Sequence, residues 1–294
     1  MSAITRFADK VIPGWDKVSA KRLWFEIFLI ASTYWAYSNV RNNYGSQAVS
    51  PQEAAANADR VIDIEKAVGL YWEADIQMFF SDNITFLQFW NIFYGALHFA
   101  MAYVVMVFLF LRFPEKYRFW RRTLGVTTLI GLYIYTIYPL MPPRLMGACT
   151  EYGACRADSP FVDTLITAGG FWNFETRAVA ALSNQYAAMP SLHFAWALWV
   201  GLAATPQLRK RYTKLIFGAY PALMGFAIVV TGNHFIIDGI AGAAVLGLGY
   251  AICLGWEQVT QKRRAQKATA HDSGSDDLAT SVEAGATQSD HRAS

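Results

Sequence analysis

Long apolar stretches alternate with polar segments along most of this chain. Six of the stretches approach the roughly 20 residues of helix that a bilayer requires, and this pattern predicts an all-α integral membrane protein with six transmembrane helices. The predicted spans are residues 22–40, 84–111, 120–140, 191–207, 215–232 and 236–256. They form a membrane domain over residues 22–256, between an N-terminal segment at 1–21 and a polar tail at 257–294.

Basic residues distinguish the two sides of this predicted topology. Lys and Arg cluster before the first span, between the second and third, between the fourth and fifth, and after the sixth. Because such clusters favour the cytoplasm, both termini are predicted to be cytoplasmic. Two large segments, 41–83 and 141–189, then lie on the outer side. In the first, residues 61–80 place apolar residues at helical spacing among carboxylates, which predicts an amphipathic helix on the membrane surface.

Composition supports this interpretation and excludes other classes. Charged residues make up only 16% of the chain and aromatic residues 15%, which excludes a disordered chain, a coiled coil and a collagen-like fibre. The formal net charge is +3 without a basic face, so no nucleic-acid partner is expected. The tail at 257–294 is predicted to be disordered and cytoplasmic. Since no organelle signal is visible, we expect a bacterial plasma membrane with the active site on its outer side.

Two cysteines lie close together in the second outer segment. Cys149 and Cys155 are six residues apart, and an oxidising compartment allows a disulfide between them. The same segment contains no His, so no metal site is expected there. Cys253, within the last span, is interpreted as a buried apolar residue.

Two histidines mark the outer ends of predicted spans. His193 begins the fourth span and His234 begins the sixth, and the chain crosses the membrane twice between them. Both imidazoles are therefore expected at the same face. Asp238 follows His234 by four residues and shares its helix face. Its carboxylate can accept the Nδ1 proton and leave Nε2 free as a nucleophile or base.

The residues around the fourth span are suited to binding a phosphate. Pro190 fits the first turn of a helix, and free backbone N–H groups such as that of Leu192 form an anion site. Ser191 can donate to the same anion, and Arg144 can bind phosphate oxygens bidentately. His193 can protonate a leaving oxygen. This set predicts in-line attack on a phosphoryl group without a metal or cofactor.

Two motifs resemble those of a known family of membrane enzymes. PSLHFAWA and HFIIDGIAG are similar to the second and third signature motifs of the type 2 phosphatidic acid phosphatase superfamily. The AAMPSLH sequence and the spacing of Asn91, Tyr94 and His98 resemble the branch of inositol phosphorylceramide synthases and related bacterial inositolphosphotransferases. The resemblance covers roughly residues 60–256.

The resemblance implies a six-span helical fold and metal-independent phosphoryl transfer through a phosphohistidine. It implies that His234 is the nucleophile, Asp238 its partner, His193 the general acid and Ser191 a phosphate ligand. The sequence departs from the family's phosphatases in offering fewer cations: a position that is usually Arg is Ile228 here, and only Arg144 remains of the first motif. A phosphodiester donor carries less charge and needs fewer cations, so transfer to an alcohol acceptor stays open.

Other polar residues have two interpretations each. Asn91, Tyr94 and His98 form a polar stripe that either lines the cleft or bonds to a neighbouring helix. Glu65 and Glu73 either bind a polyol headgroup or form a solvated acidic face.

The sequence therefore predicts a membrane lipid phosphatase or phosphotransferase whose substrate is a lipid phosphate or phospholipid. One alternative is an inositolphosphoryl-type transferase with a phosphodiester lipid donor and an alcohol acceptor. An alternative of another class is a lipid transporter or binding protein without catalytic activity. The sequence does not identify the lipid or the oligomeric state.

Overall fold

The computed structural model describes residues 20–169 and 183–290. The predicted N-terminal segment up to residue 19, residues 170–182 of the second outer segment and residues 291–294 of the tail lie outside the described residues. Within the described ranges the regular structure is helical, apart from an isolated bridge between Leu140 and Ala187.

The helices are, in chain order, α1 (Ala20–Tyr44), α2 (Pro51–Val68), α3 (Glu73–Phe80), α4 (Ile84–Ile92), α5 (His98–Arg112), α6 (Pro114–Ile137), α7 (Pro143–Met146), α8 (Thr164–Thr167), α9 (Leu192–Ala204), α10 (Arg211–Val230) and α11 (Ile236–Asp290). A π-helical turn, Phe93–Leu97, joins α4 to α5.

Each of the six predicted spans coincides with a helix, although the bounds differ. Among the described residues, three helical stretches are long and apolar enough to cross a membrane: Ile84–Arg112, Arg211–Val230 and Ile236–Arg264. The chain thus has the character of a membrane protein. Crossings by α1, α6 and α9 stay a prediction.

The short length of α9 and the charged first turns of α6 explain why these two helices are not among the three stretches that are long and apolar enough. Helix α9 has 13 residues, about 20 Å of helix at 1.5 Å per residue, because the 3₁₀ turn Thr205–Gln207 follows it. Helix α6 begins at Pro114 and carries several charged residues in its first turns. One of them, Arg121, pairs with Glu26 of α1.

The first outer segment differs from its prediction. Instead of one helix over 61–80, the chain forms α2 and α3, so the predicted continuous helix is wrong. Helix α2 begins where Ser50 accepts a hydrogen bond from the N–H of Glu53 at 3.2 Å. It ends at Gly69, whose φ of 74° suits a residue without a side chain. This left-handed turn redirects the chain toward α3.

The last helix also differs from its prediction. Its backbone is helical through Asp290, across the segment 257–294 that the sequence predicts to be disordered. Ala, Gln, Glu and Lys recur there and permit helical backbone, whereas the prediction relied on the missing apolar period. Disorder of the tail stays a prediction. The chain divides into two compact units, Met1–Gly249 and Tyr250–Ser294, and every candidate site residue belongs to the first.

Helix α9 lies at the centre of the first unit. It packs against α5, α6 and α10, and its small residues are buried, as are Trp199 and Val200. A side chain at Gly201 would lie 3.1 Å from Cγ of Pro221, so glycine lets α9 and α10 approach closely. Because α9 and α10 form a hairpin, the start of α9 and the end of α10 lie at the same end of the bundle.

The outer segments pack together at that end. Alanines of α2, among them Ala54 and Ala58, form an apolar cluster with Leu140 and Met141. The Asn57 amide donates to the carbonyl of Pro139 at 2.8 Å. A disulfide joins Cys149 to Cys155 in the second outer segment.

Candidate active site

His234 lies in the tight turn between α10 and α11. The backbone N–H groups of Asn233 and His234 both donate to the carbonyl of Ile228, at 3.0 and 3.1 Å. Gly232 has a φ of 66° in this turn. The turn therefore fixes the imidazole at the end of the bundle, where it is 2% exposed.

The proton on His234 is positioned by a backbone carbonyl. Nδ1 lies 2.8 Å from the carbonyl oxygen of Ala188, which can only accept, so Nδ1 carries the hydrogen. The nearer carboxylate oxygen of Asp238 is 3.6 Å away and accepts instead from the N–H of Phe235 at 2.9 Å. The expected Asp238 acceptor is thus replaced by Ala188, and the carboxylate acts through its charge. Nε2 therefore carries no hydrogen, and its lone pair can accept a hydrogen bond.

Tyr94 contacts the unprotonated nitrogen of His234, and His193 lies next to Tyr94. The Tyr94 hydroxyl lies 3.4 Å from Nε2 and, with Nδ1 protonated, donates to it. The His193 ring stacks on the Tyr94 ring with a centroid distance of 4.0 Å. The His193 and His234 rings are 5.9 Å apart, close enough to act on one phosphoryl group.

The start of α9 is joined directly to the start of α11. Ser191 is the N-cap of α9, and its hydroxyl oxygen accepts from the N–H of Phe194 at 3.3 Å. Its own backbone N–H donates to the carbonyl of Asp238 at 2.9 Å. The hydroxyl hydrogen of Ser191 remains to donate to a ligand. The Leu192 N–H, by contrast, interacts with the Tyr135 hydroxyl, so a protein group already contacts this predicted phosphate ligand.

Arg144 is held against the His234 turn by three side-chain acceptors. Nε donates to Asn233 at 3.0 Å, and the two terminal nitrogens donate to Asp163 and Gln185 at 2.7 Å each. Its backbone N–H donates to the carbonyl of Gly232 at 2.8 Å. The guanidinium has five N–H donors, so two have no partner among the described residues and can bind a ligand. The Asp163 carboxylate offsets much of its charge.

The polar stripe of the second predicted span divides between two roles. Asn91 donates to the carbonyls of Thr164 and Gly169, both at 2.8 Å, and ties α4 to the outer segment. His98 bonds through Nδ1 to the Tyr220 hydroxyl at 3.0 Å, and its ring lies 4.9 Å from that of His193. Only Tyr94 reaches His234 directly.

Glu65 and Glu73 are fully buried, which contradicts a solvated acidic face. Glu65 accepts from the N–H of Ile237 at 2.8 Å, and Glu73 accepts from the N–H of Ile236 at 2.6 Å. Through these hydrogen bonds the two carboxyl groups bind the first turn of α11, two and three residues after His234. Burial raises the pKa of Glu65 to about 9.

Several contributors to the site have side chains whose role the sequence does not indicate. Ala188 lies in the AAMPSLH motif but acts through its backbone carbonyl. Asp163 and Gln185 lie in an irregular outer segment, and Gln185 is two residues before that motif. Asn233 is identified only by its position next to His234. Ile228, where the family's phosphatases have Arg, is buried in the apolar cluster of α9 and α10. In the described part of the chain no group of three His, Cys, Asp or Glu side chains is arranged to hold a metal ion.

Comparison with known proteins gives one match. The family model described as PAP2 superfamily matches residues 59–252. This range includes every residue of the site described above. No curated protein and no solved structure matches the chain.

Proposed function

We propose, from the premise that the chain belongs to the PAP2 superfamily, that it is a membrane enzyme which transfers the phosphoryl group of a lipid through a phosphohistidine at His234. Membership of this superfamily supports phosphoryl transfer in general. The observation that carries the specific proposal is the protonated Nδ1 of His234, held by the Ala188 carbonyl at 2.8 Å. It leaves Nε2 as a nucleophile that faces His193.

The first half of the reaction forms the phosphohistidine. Ser191 and the two remaining donors of Arg144 bind the non-bridging oxygens, and Nε2 of His234 attacks phosphorus in line with the leaving oxygen. The bond from phosphorus to that oxygen breaks, and His193 gives the oxygen a proton. The positive charge on the His234 ring is stabilised by the Asp238 carboxylate at 3.6 Å.

The second half consumes the phosphohistidine. Neutral His193 takes a proton from water or an alcohol, whose oxygen attacks phosphorus, and the bond from Nε2 to phosphorus breaks. The enzyme returns to its starting protonation state. Water gives a phosphatase, and an alcohol gives a phosphotransferase.

The charge of the site favours a phosphodiester donor. Arg144 is paired with Asp163 at 2.7 Å, and Ile228 provides no second cation. A diester phosphate carries one negative charge, whereas a monoester carries nearly two at neutral pH. We therefore infer, as the second candidate within the same mechanism, transfer from a phosphodiester lipid to an alcohol such as inositol or another lipid.

The proposed membrane arrangement has six spans, with both termini in the cytoplasm and the site on the outer side of a bacterial plasma membrane. The Lys and Arg clusters support this orientation. The disulfide between Cys149 and Cys155 lies in the outer segment and supports an oxidising compartment on that side.

The test is covalent trapping in purified protein with phosphorus-labelled lipids. The panel contains phosphomonoesters and phosphodiesters, the diesters carrying ³²P in the phosphoryl group that is transferred. The wild type is expected to acquire an acid-labile, alkali-stable label, and His234→Ala to lose it together with nearly all turnover. His271→Ala, the same change in the tail, should behave as wild type. Turnover without a label on His234 would contradict the mechanism, and lipid transport retained by His234→Ala would favour a carrier.

A further inference from the structure

The start of α11 is bound by carboxyl groups at three consecutive backbone N–H groups. Phe235 donates to Asp238 within the helix. Ile236 donates to Glu73 of α3 and Ile237 to Glu65 of α2. The first N–H groups of a helix have no acceptor within the helix, so two outer helices supply the acceptors for the helix that carries the nucleophile's partner.

Each of these carboxyl groups has a second oxygen without a donor. Glu65 and Glu73 are 0% exposed, and among the described residues no group donates to Oε2 of either one or to Oδ1 of Asp238. Unsatisfied buried carboxylate oxygens are costly. Three adjacent buried anions also repel one another, and a partial positive charge at the helix end offsets only a fraction of this.

We propose that Glu65 and Glu73 share one proton between their side chains and act as positioning residues that hold His234 and Asp238 in register. The shared proton satisfies Oε2 on both sides and leaves a single negative charge on the pair. The effect of this positioning on turnover rests on the phosphoryl transfer proposed above, whereas the shared proton itself does not.

The surroundings of the pair favour a retained proton. Burial is the largest cause of the raised pKa of Glu65, and the negative charges of Glu73 and Asp238 add to it, while the N–H of Ile237 opposes it. The other titratable or charged groups around the pair are Lys66 in the last turn of α2, Tyr71 after it, Asp75 on α3 and His234 before α11.

The pH dependence follows from the direction of this pKa. A carboxyl group whose pKa is raised to about 9 stays neutral at pH 7 and loses its proton as the pH rises through about 9. Glu65 and Glu73 are then both negatively charged beside the first turn of α11, and their repulsion displaces this turn. The activity of the wild type is therefore expected to fall in this alkaline range.

Glu65→Gln imitates the protonated state at every pH. Its amide oxygen accepts from Ile237 and its amide N–H donates to Glu73. We expect a kcat within about twofold of wild type at pH 7 and no fall near pH 9. Glu65→Ala, which leaves the buried N–H of Ile237 without its acceptor, is expected to lower kcat at least tenfold with KM little changed. Glu115→Gln, an exposed carboxyl group, is the matched control and should keep the wild-type profile.

Infrared spectroscopy of the purified protein tests the proton without turnover. The wild type is expected to show the C=O stretch of a protonated carboxyl group that disappears as the pH rises through about 9, and Glu65→Gln should lack it. If Glu65→Gln does not fold, Glu73→Gln serves, because its amide can donate to the Glu65 carboxylate. A wild-type spectrum without this band, or an alkaline fall in activity that persists in the Gln variant, would overturn the inference. Wild-type protein that shows the band but no turnover would contradict the proposed function instead.

Discussion

At the scale of single residues, the histidine pair is organised by groups that hold its protons in place. His234 donates from Nδ1 to a backbone carbonyl, an acceptor that no side-chain substitution removes. Asp238 then serves two purposes, because it binds the Phe235 N–H and places a negative charge 3.6 Å from the ring. In the proposed mechanism the carbonyl acceptor fixes the tautomer of His234, and the carboxylate stabilises the charge that develops during attack.

Tyr94 is the residue for which this geometry predicts the most specific kinetic effect. Its hydroxyl donates to Nε2 of His234 at 3.4 Å. When phosphorus approaches Nε2, the same hydroxyl can donate to a phosphoryl oxygen instead. Tyr94→Phe keeps the stacking on His193 and removes one neutral hydrogen bond, worth about 0.5–1.5 kcal/mol. We expect kcat to fall roughly three- to tenfold with KM nearly unchanged, as measured by steady-state kinetics.

Tyr103→Phe is the matched control. Tyr103 lies on α5, the helix that follows the π-helical turn containing Tyr94, and it is 56% exposed. Its kcat should equal that of wild type. A Tyr94→Phe variant with full activity would mean that Tyr94 contributes only through its ring.

Individual residues also show which parts of the site can be predicted from the sequence and which cannot. His193, His234 and Asp238 are recognisable because their spacing and motifs are local in sequence, and the structure brings them together with Ser191 and Arg144. Asp163 and Gln185 contribute through folding of the outer segment. Ala188 belongs to the AAMPSLH motif but contributes through its backbone carbonyl, so its side chain predicts no role. The acceptor for Nδ1 was assigned to Asp238 because a backbone carbonyl leaves no trace in a sequence.

At the scale of elements, the site depends on how closely two helix starts approach. Ser191 donates its backbone N–H to the carbonyl of Asp238 at 2.9 Å. A Cβ on Gly242 would overlap the carbonyl oxygen of Ser191. The absent side chain at Gly242 therefore allows the first turn of α9, with Ser191 and His193, to contact α11.

Gly242→Ala is expected to separate these helix starts. The added methyl group meets backbone atoms that cannot rotate away, and overpacking of this kind costs about 1–3 kcal/mol. We expect a lower midpoint of thermal unfolding and a kcat reduced at least tenfold, measured on the same detergent-purified sample. Gly247→Ala lies on the same helix with open space around its Cβ, so it should leave both values at or above those of wild type. Equal behaviour of the two variants would show that the close approach is not needed.

The elements were predicted with uneven success, and the reason is physical. The three stretches that are long and apolar enough to cross a membrane are predictable because about 20 apolar residues leave a strong local pattern. The sequence predicts one helix over 61–80, where the structure has the end of α2 and then α3, because the break depends on Gly69 in a left-handed conformation. The sequence leaves headgroup binding or a solvated acidic face open for Glu65 and Glu73, because a carboxylate is normally exposed, whereas tertiary packing buries both against α11.

At the scale of the whole molecule, the site joins the membrane helices to the outer segments. His193 lies on α9 and His234 in the turn between α10 and α11, while α2, α3 and the segment around Arg144 supply polar groups that contact this turn and the start of α11. Arg156 in the second outer segment pairs with Asp59 of α2, and the Asn57 amide of α2 binds the carbonyl of Pro139. The outer segments therefore contribute to the candidate site, and this site lies on the side of the membrane that they occupy.

The orientation of the chain can be tested because two exposed positions lie on opposite predicted sides. Ala56 is on α2 in the first outer segment, and Glu115 lies at the start of α6 between two spans. Since the Lys and Arg clusters favour the cytoplasm, a membrane-impermeant maleimide should label Ala56→Cys in intact cells. It should label Glu115→Cys only after the membrane is permeabilised. The native background is low because Cys253 is buried and the other two cysteines are bonded to each other. Labelling in the opposite order would put the histidine pair on the cytoplasmic side, and the lipid substrate would then have to come from the inner leaflet.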